Sequence, residues 1–85
     1  MNSRKKSKPL DAEDQMQKLG ARIKQLRKAA GYSSAENFAN DKGFNRALYG
    51  KYEAGNRNIE FVTLVRLANA FGMTLKQFFS EGFDD

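Results

Sequence analysis

Apolar positions recur at three- and four-residue steps along most of the chain. Met16, Leu19, Ile23, Leu26 and Ala30 form one stripe of an amphipathic helix. Asp11-Ala12-Glu13-Asp14 precedes the stripe, where a helix N-terminus favours negative charge, and Gly31 stops it. Lys18, Arg22, Lys24, Arg27 and Lys28 occupy the other faces. Gly20 costs about 1 kcal/mol inside a helix relative to alanine, which predicts close approach of a neighbouring helix.

Ser33-Ser34-Ala35-Glu36 matches a capping box, with Ser33 as N-cap and Glu36 reaching back. It predicts a second helix to about Asp41, with Phe38 and Ala39 inward and a turn at Gly43. Asn45 caps a third helix, Arg46 to Ala54, closed by Gly55. Phe61, Leu64, Val65, Leu67, Ala68 and Phe71 mark a strongly apolar fourth helix that Gly72 ends. Thr74-Leu75-Lys76-Gln77 is a second capping box and opens a short fifth helix containing Leu75, Phe78 and Phe79. No strand pattern is present. The expected fold is all-α, with five short helices around one core.

Composition bounds what such a bundle does. With 85 residues there is room for one domain, expected over residues 11–80 between a flexible basic arm at 1–10 and a short acidic tail at 81–85. Cysteine and histidine are absent, which excludes disulfides, thiolate metal sites and most imidazole chemistry. No cofactor or metal is expected. No apolar run suggests a membrane span and no secretory signal opens the chain, so a cytoplasmic location is expected. The net charge is +5, but Arg4, Lys5, Lys6 and Lys8 supply four of the 15 basic residues. The remaining 11 face 10 acidic residues, so a polyanionic partner must be argued from where the body's charges lie. The arm itself reads either as a contact to phosphates or a groove, or as a solvated tail.

The segment Phe38 to Gly55 carries the chemistry. Small Ala39 and turn-forming Gly43 let two helices cross steeply. Inward Phe44, Tyr49 and Tyr52 leave Arg46, Ala47, Gly50 and Lys51 toward solvent, with no acid on their exposed face. Arg46 has the fork geometry that bonds guanine O6 and N7. Ala47 and Leu48 suit a thymine methyl, and Lys51 a base or phosphate. Mid-helix Gly50 reads as a place where DNA comes very close, or as drift at an exposed site. Ser33 and Ser34 begin the second helix, where hydroxyls and backbone N–H groups suit a phosphate, though capping also accounts for Ser33. Asn45, which caps the third helix, is counted with them as a positioning residue. Arg57 and Asn58 in the following loop suit phosphate contact or plain solvation.

Taken together, Leu19-Gly20-Ala21-Arg22-Ile23-Lys24-Gln25-Leu26-Arg27, Gly31-Tyr32-Ser33, Phe38-Ala39, Gly43-Phe44, Tyr49, Tyr52-Glu53-Ala54-Gly55, Arg57-Asn58 and Leu64 through Phe78 resemble the Cro/repressor-type helix-turn-helix family, the XRE-like transcriptional regulators of bacteria and phages. The resemblance implies a lambda-repressor-like fold. It further implies that the third helix enters the major groove, that Arg46, Ala47, Gly50 and Lys51 carry recognition, and that Ser34, Arg57 and Asn58 support it. It also implies a partly buried ion pair between Arg27 and Glu53. The chain departs from the family pattern in an extra residue near Asn37, in Glu60 at the cap of the fourth helix, and in tyrosines at 49 and 52.

The function expected is a sequence-specific, double-stranded DNA-binding transcription regulator, a repressor or autoregulator. One helix reads few base pairs, so a homodimer on a palindromic operator is expected, with Phe79 and Phe83 at or beside the contact. The alternative is a protein-interaction module with the same fold, such as an antitoxin subunit or coactivator. An enzyme is not expected: Asp11, Glu13 and Asp14 lie where they cap a helix, and no nucleophile–base pair or phosphate-binding glycine loop is present. No small-molecule effector site is evident.

Overall fold

The computed structural model describes residues 9–83. The basic cluster Arg4, Lys5, Lys6 and Lys8, and the end of the acidic tail at Asp84 and Asp85, lie outside the described residues.

Five helices follow one another: α1 (Ala12–Ala29), α2 (Ala35–Lys42), α3 (Arg46–Ala54), α4 (Phe61–Ala70) and α5 (Leu75–Phe78). Among the described residues there is no strand. Local chemistry sets most of the boundaries. The Asp11 side chain accepts from the Asp14 N–H and starts α1. Asn45 accepts from the Leu48 N–H and starts α3, and Thr74 and Gln77 form a complete capping box on α5. Gly43 and Gly55 end α2 and α3 in the left-handed conformation, at φ 79° and 76°, which glycine adopts at little steric cost.

Phe38 is the centre of the core. Its ring stacks on Phe71 at 5.0 Å, lies 5.1 Å from Tyr49, and meets Tyr32 edge-on at 5.2 Å. Ile23, Leu26, Ala39, Phe44, Leu67, Ala68 and Phe78 close around it. α1 packs along α3, and the two backbones come very close at Gly20. A Cβ added there would lie 2.6 Å from the carbonyl oxygens of both Tyr52 and Glu53. The glycine expected to admit a neighbouring helix therefore does so, and the neighbour is the end of α3.

Three local expectations are corrected. The N-cap of α2 is Ser34, not Ser33: the extended Ser34 backbone brings its hydroxyl to the Asn37 N–H at 3.1 Å. Asn37 therefore takes the third helical position, and Glu36, one residue earlier, is too close to the cap to reach back. Arg22 is not on an outer face. It is 5% exposed, and donates from Nε to the Phe78 carbonyl at 2.7 Å and from Nη2 to the Gln77 carbonyl at 2.9 Å. Two carbonyls at the end of α5 thus hold the guanidinium, while its Nη1 meets Gln25 Oε1 at 2.9 Å and Glu81 Oε1 at 3.6 Å. Phe61 belongs to α4 but not to its inner face: it is 65% exposed, beside Val62 at 67%. Glu60 makes no side-chain cap bond to α4.

Candidate nucleic-acid interface

α2, the Gly43 turn and α3 form the two-helix unit. Phe44 donates its N–H to the Ala39 carbonyl at 2.8 Å, which closes the turn. Arg66 of α4 braces it from outside, donating to the Gly43 carbonyl at 3.1 Å with its guanidinium 4.5 Å over the Phe44 ring. Nothing in the sequence pattern distinguishes Arg66 from a solvated arginine, because its partner lies across the turn rather than one helical step away.

Inside the unit, Tyr49 is fully buried and Tyr52 half-buried. Their side chains fix which face of α3 points away. Arg46, Ala47, Gly50 and Lys51 are all exposed, and Leu48 is half-buried. A Cβ on Gly50 would meet nothing within 4 Å, so the protein itself gives no reason for a glycine there.

The orientation of α3 is fixed at its far end by a buried network. Arg27 Nε donates to Glu53 Oε2 at 2.8 Å and Nη2 to Oε1 at 2.9 Å. The Arg27 and Glu53 side chains are 5% and 9% exposed. Arg27 Nη1 also donates to the Tyr32 carbonyl at 2.9 Å, and the Tyr49 hydroxyl donates to Glu53 Oε2 at 2.6 Å. One guanidinium thus joins α1, the loop before α2 and the end of α3. Burial alone would push the Glu53 carboxyl up. Hydrogen bonds from Arg27 and Tyr49, with the positive charges of Arg27 and Lys24, outweigh it and hold the carboxyl below its ordinary value. The bond to Glu53 raises Arg27 against its own burial, and burial first, then the bond to Glu53, raises the Tyr49 hydroxyl.

The remaining expected contacts fall around the same face. Ser34 and Asn45 are spent as caps of α2 and α3, while Ser33 is exposed. Lys51, Arg57 and Asn58 are exposed and make no ion pair or side-chain hydrogen bond among the described residues. The face is not free of acid, however. Arg46 Nη1 pairs with Glu36 Oε2, an ion pair between the start of α3 and the first turn of α2. The sequence pattern does not show it, because Glu36 reads there as a cap and Arg46 lies across the turn.

At the opposite end, Phe79 is 39% exposed and Phe83 half-buried, with their rings 5.1 Å apart. With Leu10, Met16 and Leu19 they line an open apolar groove against α1. Phe78 is entirely buried and belongs to the core. Among the described residues no helix is long and apolar enough to cross a membrane, and no cluster of three or more histidine, cysteine or carboxylate side chains could hold a metal.

Residues 20–81 match the model of a helix-turn-helix domain family. The chain is 34% identical over 64 residues to the control protein C.MunI of a Mycoplasma species, covering 75% of this chain and 86% of that protein. It is 38% identical over 56 residues to an uncharacterized HTH-type transcriptional regulator, YonR, derived from the SPbeta prophage of Bacillus subtilis (strain 168). That match covers 66% of this chain and 51% of YonR, so the chain spans about half of this second relative. Among solved structures it is similar to the restriction-modification controller protein C.AhdI from Aeromonas hydrophila. The TM-score is 0.69 and the identity 33%, over 78% of this chain and 98% of that one.

Proposed function

This chain belongs to the helix-turn-helix family of Cro/repressor-type, XRE-like DNA-binding transcription regulators, and on that premise we propose that it lays α3 in the major groove of an operator and reads bases with Arg46 and Lys51. The observation that carries this is the division of α3. Tyr49 and the buried Arg27–Glu53 pair fix one face, and Arg46, Ala47, Gly50 and Lys51 form the other. A rigid helix with an exposed, donor-bearing face is what direct readout requires.

Around that helix, Arg57 and Asn58, with the N-terminus of α2 near Ser33 and Ser34, hold phosphates and set register. Ala47 lies against a thymine methyl. Gly50 lets the duplex come closer than any side chain would permit. Two copies act together on a palindromic site, with half-sites about 34 Å apart, and the groove at Phe79 and Phe83 carries or borders the contact between them. The output is repression or autoregulation in the cytoplasm, without a small-molecule effector. Likeness to two controller proteins, one of them a restriction-modification controller, supports a restriction-modification operon as the regulated unit.

Titrating the chain against duplexes selected from a random pool, at several salt concentrations, tests this. Affinity falls steeply as salt rises, because each lysine or arginine bound to a phosphate displaces counterions. A flat salt response, or a pool that yields no common sequence, contradicts the proposal.

A further inference from the structure

We propose that Glu36 is a specificity-determining positioning residue: it aims Arg46 at its base and repels DNA that does not offer that base. The inference rests on α3 being the recognition helix and deepens that reading. Glu36 is not needed where sequence pattern would put it, since Ser34 and Asn37 complete the start of α2 without it. Its carboxylate turns instead across the gap to α3 and binds Arg46 at Nη1. Both side chains stay solvent-accessible, at 60% and 58%, so the pair stands on the surface rather than inside the core.

The chemistry follows from the donor inventory of arginine. A guanidinium has five N–H donors in a fixed plane. Only Nη1 is engaged by Glu36, and Nε and Nη2 have no partner among the described residues. The Nε–Nη2 edge that remains still presents two parallel donors that can span the O6 and N7 acceptors of guanine. Anchoring Nη1 removes rotamer freedom from a long side chain before binding, so less is lost when the edge meets guanine.

The carboxylate has a second effect. It is an acid paired with Arg46 at the start of α3, beside the face that reads bases. Against a non-cognate duplex its charge opposes binding. Against the cognate one that cost is offset where Arg46 meets its guanine and where the carboxylate accepts from a cytosine N4 amino group in the neighbouring pair. Discrimination thus arises from attraction and repulsion together.

Binding constants for wild type, Glu36→Gln and Glu36→Ala test this, on the selected operator and on the same duplex changed at the one position that Arg46→Ala relaxes. Glu36→Ala is expected to lose roughly tenfold of the discrimination at that position. It should bind non-specific duplex more tightly and melt at the wild-type temperature. Glu36→Gln, which keeps the acceptor oxygen and loses the charge, should share the tighter non-specific binding and retain part of the discrimination. In an Arg46→Ala background, Glu36→Ala should leave discrimination unchanged. If wild type binds and discriminates but Glu36→Ala discriminates equally well, this inference falls and the DNA reading stands. If wild type binds no duplex, both fall.

Discussion

Arg27 grips Glu53 through two parallel hydrogen bonds, at 2.8 and 2.9 Å, and so ties the first helix to the last turn of α3. Removing Arg27 leaves the Glu53 carboxylate with little more than the Tyr49 hydroxyl bond to hold its charge. Arg27→Ala is expected to cost about 3–5 kcal/mol, a large share of the stability of so small a domain. Urea unfolding measures it. An unchanged midpoint in Arg27→Ala would show that the pair contributes nothing to holding α3.

The same pair sets an acid limit. Glu53 is held below its ordinary value of 4.5 in the folded chain. Its contribution is therefore complete above that value and is lost as pH falls through the lower, folded one. Melting temperature should show no Glu53-dependent change from neutral pH to near 5 and should drop below about 4.5. Glu53→Gln should be less stable at neutral pH and lack this part of the acid decline. Parallel acid declines in both proteins would contradict the assignment.

Two glycines in helices make opposite predictions. Gly20→Ala puts a methyl within 2.6 Å of two carbonyl oxygens and 2.9 Å of the Gly55 nitrogen, where only backbone movement relieves the clash. Overpacking of that kind costs about 1–3 kcal/mol, more than the intrinsic gain from alanine. Gly50→Ala meets nothing, so it should stabilise the free protein by up to about 1 kcal/mol. It should also weaken operator binding roughly tenfold, an energy of about 1.4 kcal/mol. A Gly50→Ala protein that binds as wild type would show that the glycine has no role at the duplex.

The five-helix fold was legible because the residues that end and start the helices act locally. Gly43, Gly55, Asn45 and Thr74 each need only neighbours within a turn to do their work. Gly20 was legible too, as an unfavourable residue that needed a close neighbour. What the chain did not disclose depends on partners distant in sequence, or on choosing between equals. Ser33 and Ser34 carry the same hydroxyl, and the backbone path alone decides which one caps. Arg22 reads as a surface charge until the end of α5, more than 50 residues on, supplies two carbonyls. Glu36 reads as a cap until the turn brings Arg46 to it. Most helix faces were thus readable by period, whereas of the charged contacts between helices only Arg27–Glu53 was foreseen, through the family resemblance.

The apolar groove makes an assembly prediction. Replacing Phe79 and Phe83 together with serine removes exposed or half-exposed rings that pack on each other, while Phe78 remains in the core. The variant should stay folded, sediment as a monomer at concentrations where wild type dimerises, and bind a full operator more weakly than wild type. A variant that still dimerises places the contact elsewhere, and exposed Phe61 and Val62 would be the next pair to replace.

The central claim is that the exposed face of α3 reads base sequence. Parallel selection from one random DNA pool with wild type and Arg46→Ala tests it most directly. Wild type should return a palindromic site with a guanine fixed in each half, and Arg46→Ala should return the same site relaxed at that position alone. Identical sites from the two proteins, or no enriched site from wild type, would contradict it.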